Sequence, residues 1–341
     1  MLATEVDGDD VVVRYADPEH AASSVRVWAH LRLGDTTMRE VDGGWEVRLT
    51  DLPVDRLEYL IDVDGEMRPD ASNPGVTRGP FGDHSWIPLP AYRRPGWLDV
   101  EPCASERATL TLSRTGAGRI DCEIWSPADK PAAEPLPLLL SHDGPEMDAY
   151  GGLTAYAGAM VATGTLPPMR VALVSPGPRN KRYAANPAYS RALTSRLVPA
   201  LTEAVATKGR PVLIGQSLGG LAALHAAWTS PATFGGLFLQ SGSFFTAELD
   251  PQESGFEFWR QVTGFVASVH AATQAAPQAP RVTLTCGTAE ENHGNNVAMR
   301  DHLAAIGIET AWGEIRDGHT WTCWRDTLDP YLTELLAKVW V

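Results

Sequence analysis

The chain has 341 residues, of which 44% are hydrophobic and 21% are charged, a composition typical of a folded soluble protein rather than a disordered one. Its formal net charge of −14 argues against nucleic acid or an anionic membrane as a partner, because phosphate groups bind basic surfaces. The four cysteines are widely spaced and no Cys/His cluster has the spacing of a zinc site, so we expect no disulfide scaffold, metal or cofactor.

The first hundred residues predict a small β domain. Short runs rich in β-branched and aromatic residues are separated by turn signals; they cover 11–15, 24–31 and 45–52. An Asp64-Gly65 pair then predicts a hairpin. Five or more such strands are typical of a β-sandwich. A proline-rich stretch follows, so we place an N-terminal sandwich domain at 1–100 and a second domain at 101–341.

The pattern changes after residue 100. Mostly apolar runs, each typical of a strand buried on both faces, cover 136–142, 170–176, 210–215, 235–241, 281–286 and 310–315. Helical segments with apolar residues at three- and four-residue steps lie between them, at about 147–163, 187–207, 218–229, 254–271, 295–306 and 325–339. The alternation predicts an α/β fold with a mostly parallel sheet.

The N-terminal residues and the longest apolar stretch indicate where in the cell the protein is expected. The N-terminus has neither a basic start nor an apolar segment of the signal-peptide type. The stretch 211–228 is interrupted by polar residues, so we do not expect it to span a membrane. We expect a cytoplasmic protein.

The segment GQSLGG, residues 215–220, carries the strongest chemical signal. It follows an apolar strand and precedes a helical segment, which is the context of a G-x-S-x-G nucleophile elbow. Gly215 and Gly219 would remove side chains that clash across the sharp turn. Ser217 would then lie at a helix N-terminus, where N–H groups favour a developing oxyanion. We expect Ser217 to be a nucleophile rather than an idle turn residue.

A serine nucleophile needs a base and an acid, which in α/β-hydrolases follow it along the chain. His319 lies in a glycine-containing loop after the last predicted strand, at the edge of the sheet where catalytic groups gather. Glu290 and Glu291 follow the preceding strand, and we prefer Glu290 as the acid that orients the imidazole. Asp317 is less suitable, because so close a neighbour rarely reaches the far ring nitrogen.

The oxyanion hole needs two backbone donors. One is the N–H of Leu218, directly after the nucleophile. The second should come from the loop after the 136–142 strand, where proline at position 145 has no N–H. We expect Gly144 or Asp143, with Glu146 as an alternative.

Four motifs occur in order within 106–341: GQSLGG, LQSGSFF (239–245), CGTAEEN (286–292) and RDGHTWTCWRDTL (316–328). Together they resemble the enterochelin (enterobactin) esterase family of esterase D-like α/β-hydrolases. The first hundred residues also resemble the immunoglobulin-like domain that often precedes the hydrolase in that family. By position, the resemblance implies Ser217 as nucleophile, His319 as base and Glu290 as acid.

The same resemblance implies substrate-binding residues. Phe244 and Phe245 fall where the family has aromatic side chains near the substrate. Arg179 matches a family arginine, whereas Arg182 stands where a glutamate is usual. With Lys181 and Arg325, these arginines are expected to form a local basic patch that offsets the acidic total charge.

The implied activity is hydrolysis of the ester bonds of a catecholate trilactone siderophore, which releases its iron. The partner is therefore expected to be a small-molecule ester, either free or as its ferric complex. Two alternatives remain open: a feruloyl- or acetyl-type carbohydrate esterase, and a non-catalytic binding scaffold in which the β domain recruits a partner.

Overall fold

The computed structural model describes residues 3–31 and 33–340, and this part of the chain divides into two compact units. The first contains the residues up to Arg94 and two short later segments, Gly287–Glu290 and Ile315–Cys323. The second contains Pro95–Cys286, Glu291–Glu314 and the residues from Trp324 onward. None of the helices in the described residues combines the length and apolar character that crossing a bilayer requires.

The first unit is built from antiparallel strands. They are β1 (Glu5–Asp7), β2 (Asp10–Ala16), β3 (Val25–Trp28), β4 (Arg39–Val41), β5 (Gly44–Leu49), β6 (Arg56–Val63), β7 (Glu66–Arg68), β8 (Val76–Thr77) and β9 (His84–Pro88). One sheet has the order β1-β2-β5-β4, the other β3-β6-β9-β8 with β7 paired to β6. Alternate residues of β2, β3 and β6 are buried in one core shared by both sheets, which is the arrangement of a β-sandwich.

The main sheet has eight strands. They are β10 (Ser105–Leu112), β11 (Ile120–Pro127), β12 (Leu138–Ser141), β13 (Arg170–Val174), β14 (Val212–Gln216), β15 (Gly236–Gln240), β16 (Arg281–Gly287) and β17 (Thr310–Ile315). Their order is β10-β11-β13-β12-β14-β15-β16-β17. β10, β11 and β13 pair antiparallel, and the pairs from β13 to β16 are parallel. Every residue of β12 to β15 is buried, as their uninterrupted apolar sequences predict.

Helices connect the parallel strands. They are α1 (Gly144–Gly151), α2 (Leu153–Ala162), α3 (Arg179–Tyr183), α4 (Pro187–Ala192), α5 (Val198–Ala204), α6 (Leu218–Thr229), α7 (Trp259–His270), α8 (His293–Ala305), α9 (Trp321–Asp326) and α10 (Thr333–Trp340). A π-helical turn, Leu193–Leu197, joins α4 to α5. The helix predicted at 147–163 is instead two helices, because Gly152 between them adopts a left-handed conformation with φ of 66°.

The predicted fold class is confirmed: an N-terminal β part precedes an α/β-hydrolase with a mostly parallel sheet. The linear division at residue 100 stays a prediction. The compact units instead separate at Arg94, and the first also takes the two later segments that contain Glu290 and His319.

Candidate active site

A strained turn presents Ser217 between β14 and α6. The serine has φ of 56° and ψ of −123°, a conformation that costs an L-residue energy and is held only when its surroundings determine it. Its N–H donates to the Gln240 carbonyl at 2.9 Å, and its carbonyl accepts from the Ser243 N–H at 3.1 Å. The end of β15 and the loop after it therefore hold the turn from both sides. This is the geometry of a nucleophile elbow.

The two glycines of the motif are not equally constrained. A Cβ at Gly215 would lie 2.2 Å from the backbone oxygen of Gly219, so only glycine fits there. A Cβ at Gly219 would lie 3.2 Å from Cβ of His142, a tight contact but a much smaller overlap. The close approach of strand to helix thus depends on Gly215.

The residues around the Ser217 hydroxyl come from the loop after β15. Oγ of Ser217 lies 3.3 Å from Oγ of Ser243, which is 2% exposed. Phe244 is 1% exposed, and Phe245, at 7%, stacks on Trp259. Both phenylalanines, expected from the resemblance to contact substrate, are packed into the hydrophobic core of the second unit.

Backbone donors at two helix starts can stabilise an oxyanion. Leu218 and Gly144 are the first residues of α6 and α1, where an N–H has no acceptor within its own helix. A Cβ at Gly144 would lie 2.3 Å from Cα of Leu173, so glycine is required at this helix start. The Asp143 N–H, the other candidate, instead donates to the Tyr183 hydroxyl at 3.1 Å. Gly144 therefore fits the second donor better than Asp143.

Arg179 holds the Asp143 side chain. Its Nε and a terminal nitrogen donate to the carboxylate at 2.8–3.0 Å, and the Asp143 side chain is 3% exposed. This charge-assisted pair fixes Asp143 in its left-handed conformation, φ 45°, directly before α1. Arg179 thus stabilises the loop that supplies Gly144, and its charge is largely neutralised by Asp143.

Arg182 does not belong to an exposed basic patch, contrary to the expectation from the sequence. Arg182 is only 4% exposed, and its guanidinium donates to the backbone carbonyls of Pro176, Ala117 and Arg119. Because backbone carbonyls from two loops surround the guanidinium, Arg182 ties those loops together instead of facing a substrate. Arg325 is half-buried, and its Nε donates to the neighbouring Asp326 carboxylate at 2.7 Å.

Glu290 and His319 form a hydrogen-bonded pair in the first unit. Nδ1 of His319 lies 2.7 Å from Oε2 of Glu290, whose side chain is fully buried. The other carboxylate oxygen accepts the Gly287 N–H at 2.7 Å. A carboxylate only accepts, so Nδ1 carries the proton and Nε2 presents the lone pair of a base. Glu291, the alternative acid, is exposed.

Three aromatic rings of the first unit, Trp28, His30 and His84, contact one another, and His30 lies near enough to His319 for the two imidazoles to interact electrostatically. Trp28 contacts His30 edge-on with ring centroids 4.4 Å apart, and stacks on His84 at 6.1 Å. Burial lowers the pKa of His30, and the nearby His84 and His319 lower it further. Because His30 and His319 are far apart in the chain, no local motif could have revealed that they lie near each other.

The structure thus brings the predicted residues together in two groups. Glu290 and His319 lie in the first unit; Ser217, Leu218 and the Asp143–Gly144 loop lie in the second. Within the described residues, no group of three or more His, Cys, Asp or Glu side chains could hold a metal ion.

Comparisons with known proteins show which family the chain is similar to. A family model described as putative esterase matches residues 113–335. An iron(III) salmochelin esterase of Escherichia coli O6:H1 is 27% identical over 248 residues, covering 68% of this chain and 60% of the relative. An iron(III) enterobactin esterase of Escherichia coli K12 is 31% identical over 127 residues, covering 37% of this chain and 30% of the relative. The chain thus matches between about a third and three fifths of these relatives' length.

A solved structure of the enterobactin esterase from Shigella flexneri, obtained in the presence of 2,3-dihydroxy-N-benzoyl-glycine, superposes with a TM-score of 0.79 at 20% identity. The match covers 99% of this chain and 96% of that one, so the fold is shared over the whole chain. The resemblance inferred from the motifs is confirmed.

Proposed function

Because this chain belongs to the putative esterase family, we propose that it is a serine hydrolase of carboxylic esters, with Ser217 as nucleophile, His319 as base and Glu290 as acid. The observation that carries the proposal is the conformation of Ser217: a serine with positive φ between a buried strand and a helix start. Strain of this kind persists where function requires it.

The first half-reaction forms an acyl-enzyme. Oγ of Ser217 attacks the ester carbonyl while Nε2 of His319 takes the hydroxyl proton. The Leu218 and Gly144 N–H groups stabilise the oxyanion of the tetrahedral intermediate. Collapse of the intermediate breaks the ester C–O bond, and the imidazolium returns its proton to the leaving alcohol. Glu290 accepts the hydrogen bond from Nδ1–H of His319 throughout and stabilises the imidazolium.

The second half-reaction regenerates the enzyme. Water attacks the acyl carbon as His319 accepts a proton from it, and the same donors stabilise the second oxyanion. The carboxylic acid leaves as Ser217 regains its proton. The overall change is one ester and one water converted to one acid and one alcohol, with no cofactor.

For the substrate we propose the ester bonds of a catecholate siderophore, whose cleavage weakens iron binding. The curated relatives are named as enterobactin and salmochelin esterases, which supports this class. The cluster of Trp28, His30 and His84, of which His30 lies near His319, also favours substrates that carry aryl groups, because aryl groups stack on flat aromatic faces. Arg182 has no part in this proposal, since its guanidinium is buried.

The nucleophile is tested with Ser217→Ala on p-nitrophenyl acetate. We expect kcat to fall to the background rate, and labelling by a fluorophosphonate probe to disappear. Ser190→Ala is the control: this serine, 2% exposed, is likewise in the second unit and bonds a histidine, His225. Turnover by Ser217→Ala at the parental rate would remove Ser217 as nucleophile.

The substrate class is tested by comparing a cyclic catecholate triester, with and without ferric iron, against methyl ferulate. We expect kcat/KM to be higher for the triester. A higher value for methyl ferulate would favour the carbohydrate esterase, and absence of both hydrolysis and probe labelling would favour the binding scaffold.

Three finer assignments remain predictions. They are the immunoglobulin-like classification of the N-terminal sandwich, its boundary at residue 100 and the cytoplasmic location. Fractionation of cells that produce the full chain would test the location.

A further inference from the structure

The loop that carries His319 is attached to the N-terminal sheet by a buried arginine. Arg56 is the first residue of β6, and its side chain is 1% exposed. Its guanidinium donates to Oδ2 of Asp317 at 2.5 Å and to Oγ1 of Thr320 at 3.2 Å. These acceptors lie two residues before and one residue after His319. One side chain therefore bonds to the loop on both sides of the imidazole.

Neighbouring contacts strengthen the same attachment. The N–H of Asp55 donates to the Arg316 carbonyl at 2.7 Å. In return, the Arg316 guanidinium donates to the Asp55 carboxylate at 3.0 Å and to the Leu52 carbonyl at 2.9 Å. Main-chain and side-chain bonds thus run in both directions between the start of β6 and the loop.

Asp317 also contacts the loop that carries Glu290. Its carbonyl accepts the Ala289 N–H at 3.1 Å, next to Glu290 in the chain. A Cβ at Gly287 would lie 2.3 Å from the same carbonyl oxygen, so the two loops touch without space between them. A displacement of Asp317 must therefore move both partners of the His319–Glu290 hydrogen bond.

The electrostatics of the cluster make Arg56 hard to replace. Arg56 also pairs with Glu58, whose side chain is 11% exposed, so one buried cation faces two carboxylates. Burial raises the pKa of Asp317 to about 7, and the charge of Arg56 acts in the opposite direction while that of Glu58 adds to the rise. Buried carboxylates remain ionised only when paired. Without Arg56 this opposing influence is lost, so the pKa of Asp317 rises further and its charged form is disfavoured in its buried place.

We propose that Arg56 of the N-terminal sheet is a positioning residue for the reaction, holding Asp317 and Thr320 so that His319 and Glu290 keep their hydrogen bond. It does not touch the substrate and acts only through the two loops. The inference rests on the proposed function insofar as His319 is the base. It gives the N-terminal sandwich an indirect part in catalysis, through the placement of His319 and Glu290.

The kinetic test compares Arg56→Met with Arg26→Met in the full chain, using p-nitrophenyl acetate. Arg26 is the matched control: it lies in the same sheet and donates to Asp62 at 2.6 Å, but its side chain is 57% exposed. We expect Arg56→Met to lower kcat by about tenfold or more with KM within about twofold, as misplaced catalytic groups do. Arg56→Lys should recover part of the loss, and Arg26→Met should match the parent.

The second readout is the NMR signal of the His319 Nδ1 proton, which reports the hydrogen bond to Glu290 whether or not the ester is hydrolysed. Its loss in Arg56→Met and retention in Arg26→Met support the proposal; retention in Arg56→Met overturns it. A parent with the signal but no turnover would instead count against the proposed function. If Arg56→Met fails to fold, Asp317→Asn is measured, and parental kcat and signal in it overturn the proposal.

Discussion

The two glycines of the nucleophile elbow should respond very differently to alanine. In Gly215→Ala the new Cβ would begin 2.2 Å from the Gly219 oxygen, against the 3.4 Å of an ordinary contact, so strand and helix must separate by about 1.2 Å. Overpacking of this kind costs about 1–3 kcal/mol or more. Ser217 lies between the two glycines and must move with them. A displacement of about 1 Å can cost a hundredfold in rate.

Gly219→Ala is the matched comparison. Its Cβ would lie 3.2 Å from Cβ of His142, only 0.2 Å short of an ordinary contact. Position 219 is the second residue of α6, where alanine is favoured over glycine by up to about 1 kcal/mol. The two effects oppose each other, so we expect a stability change within about 1 kcal/mol.

The assay is urea unfolding of both variants together with hydrolysis of p-nitrophenyl acetate. We expect Gly215→Ala to unfold at lower urea and to lose about a hundredfold in kcat, and Gly219→Ala to remain near the parent in both. Parental stability and kcat in Gly215→Ala would show that the elbow is not as tightly packed as described, and would refute the reasoning.

Other substitutions test the acid, the buried arginine and the buried histidines. Glu290→Gln should lower kcat by about 10²-fold or more through loss of imidazole orientation, whereas Glu291→Gln should match the parent; the reverse order would exchange their roles. Arg182→Met should lower the unfolding midpoint and leave the KM ratio of a ferric triester to a neutral ester unchanged, whereas a selective rise for the triester would restore it to the binding site. Burial lowers the pKa of His142 and of His225 to about 4, so their contribution to stability is present above pH 6.5 and is lost as the pH falls toward 4. Replacing His142 by Asn should flatten this loss of stability, measured by urea unfolding at several pH values. An unchanged dependence of stability on pH would contradict the prediction.

The parts of the fold that follow local rules could be predicted from the sequence. Continuous apolar runs identified the parallel strands, because burial on both faces leaves no polar alternation. The elbow was equally visible, since the steric demand of the turn places Gly215 and Ser217 at fixed spacing. The Asp64-Gly65 hairpin also forms, with both residues at positive φ between β6 and β7.

The parts that depend on distant partners could not be predicted. The guanidinium of Arg182 is hydrogen-bonded by backbone carbonyls, which every residue has and which therefore leave no sequence signal. Asp143 also has a partner that no local pattern shows, because its N–H donates to the hydroxyl of Tyr183, forty residues away in the chain. Charge and motif position alone indicated a substrate contact for Arg182 and an oxyanion donor at Asp143, whereas the structure gives both groups other hydrogen-bond partners.

The grouping of two late loops with the N-terminal strands constrains how this protein can change. Residues 287–290 and 315–323 pack with a segment that is encoded about two hundred positions earlier. The N-terminal sandwich is therefore not a detachable module: an exchange of this segment between relatives would also replace the packing partners of Glu290 and His319. In such chimeras we expect activity when the two loops and the sandwich come from the same parent, and the origin of the rest of the hydrolase half is not sufficient.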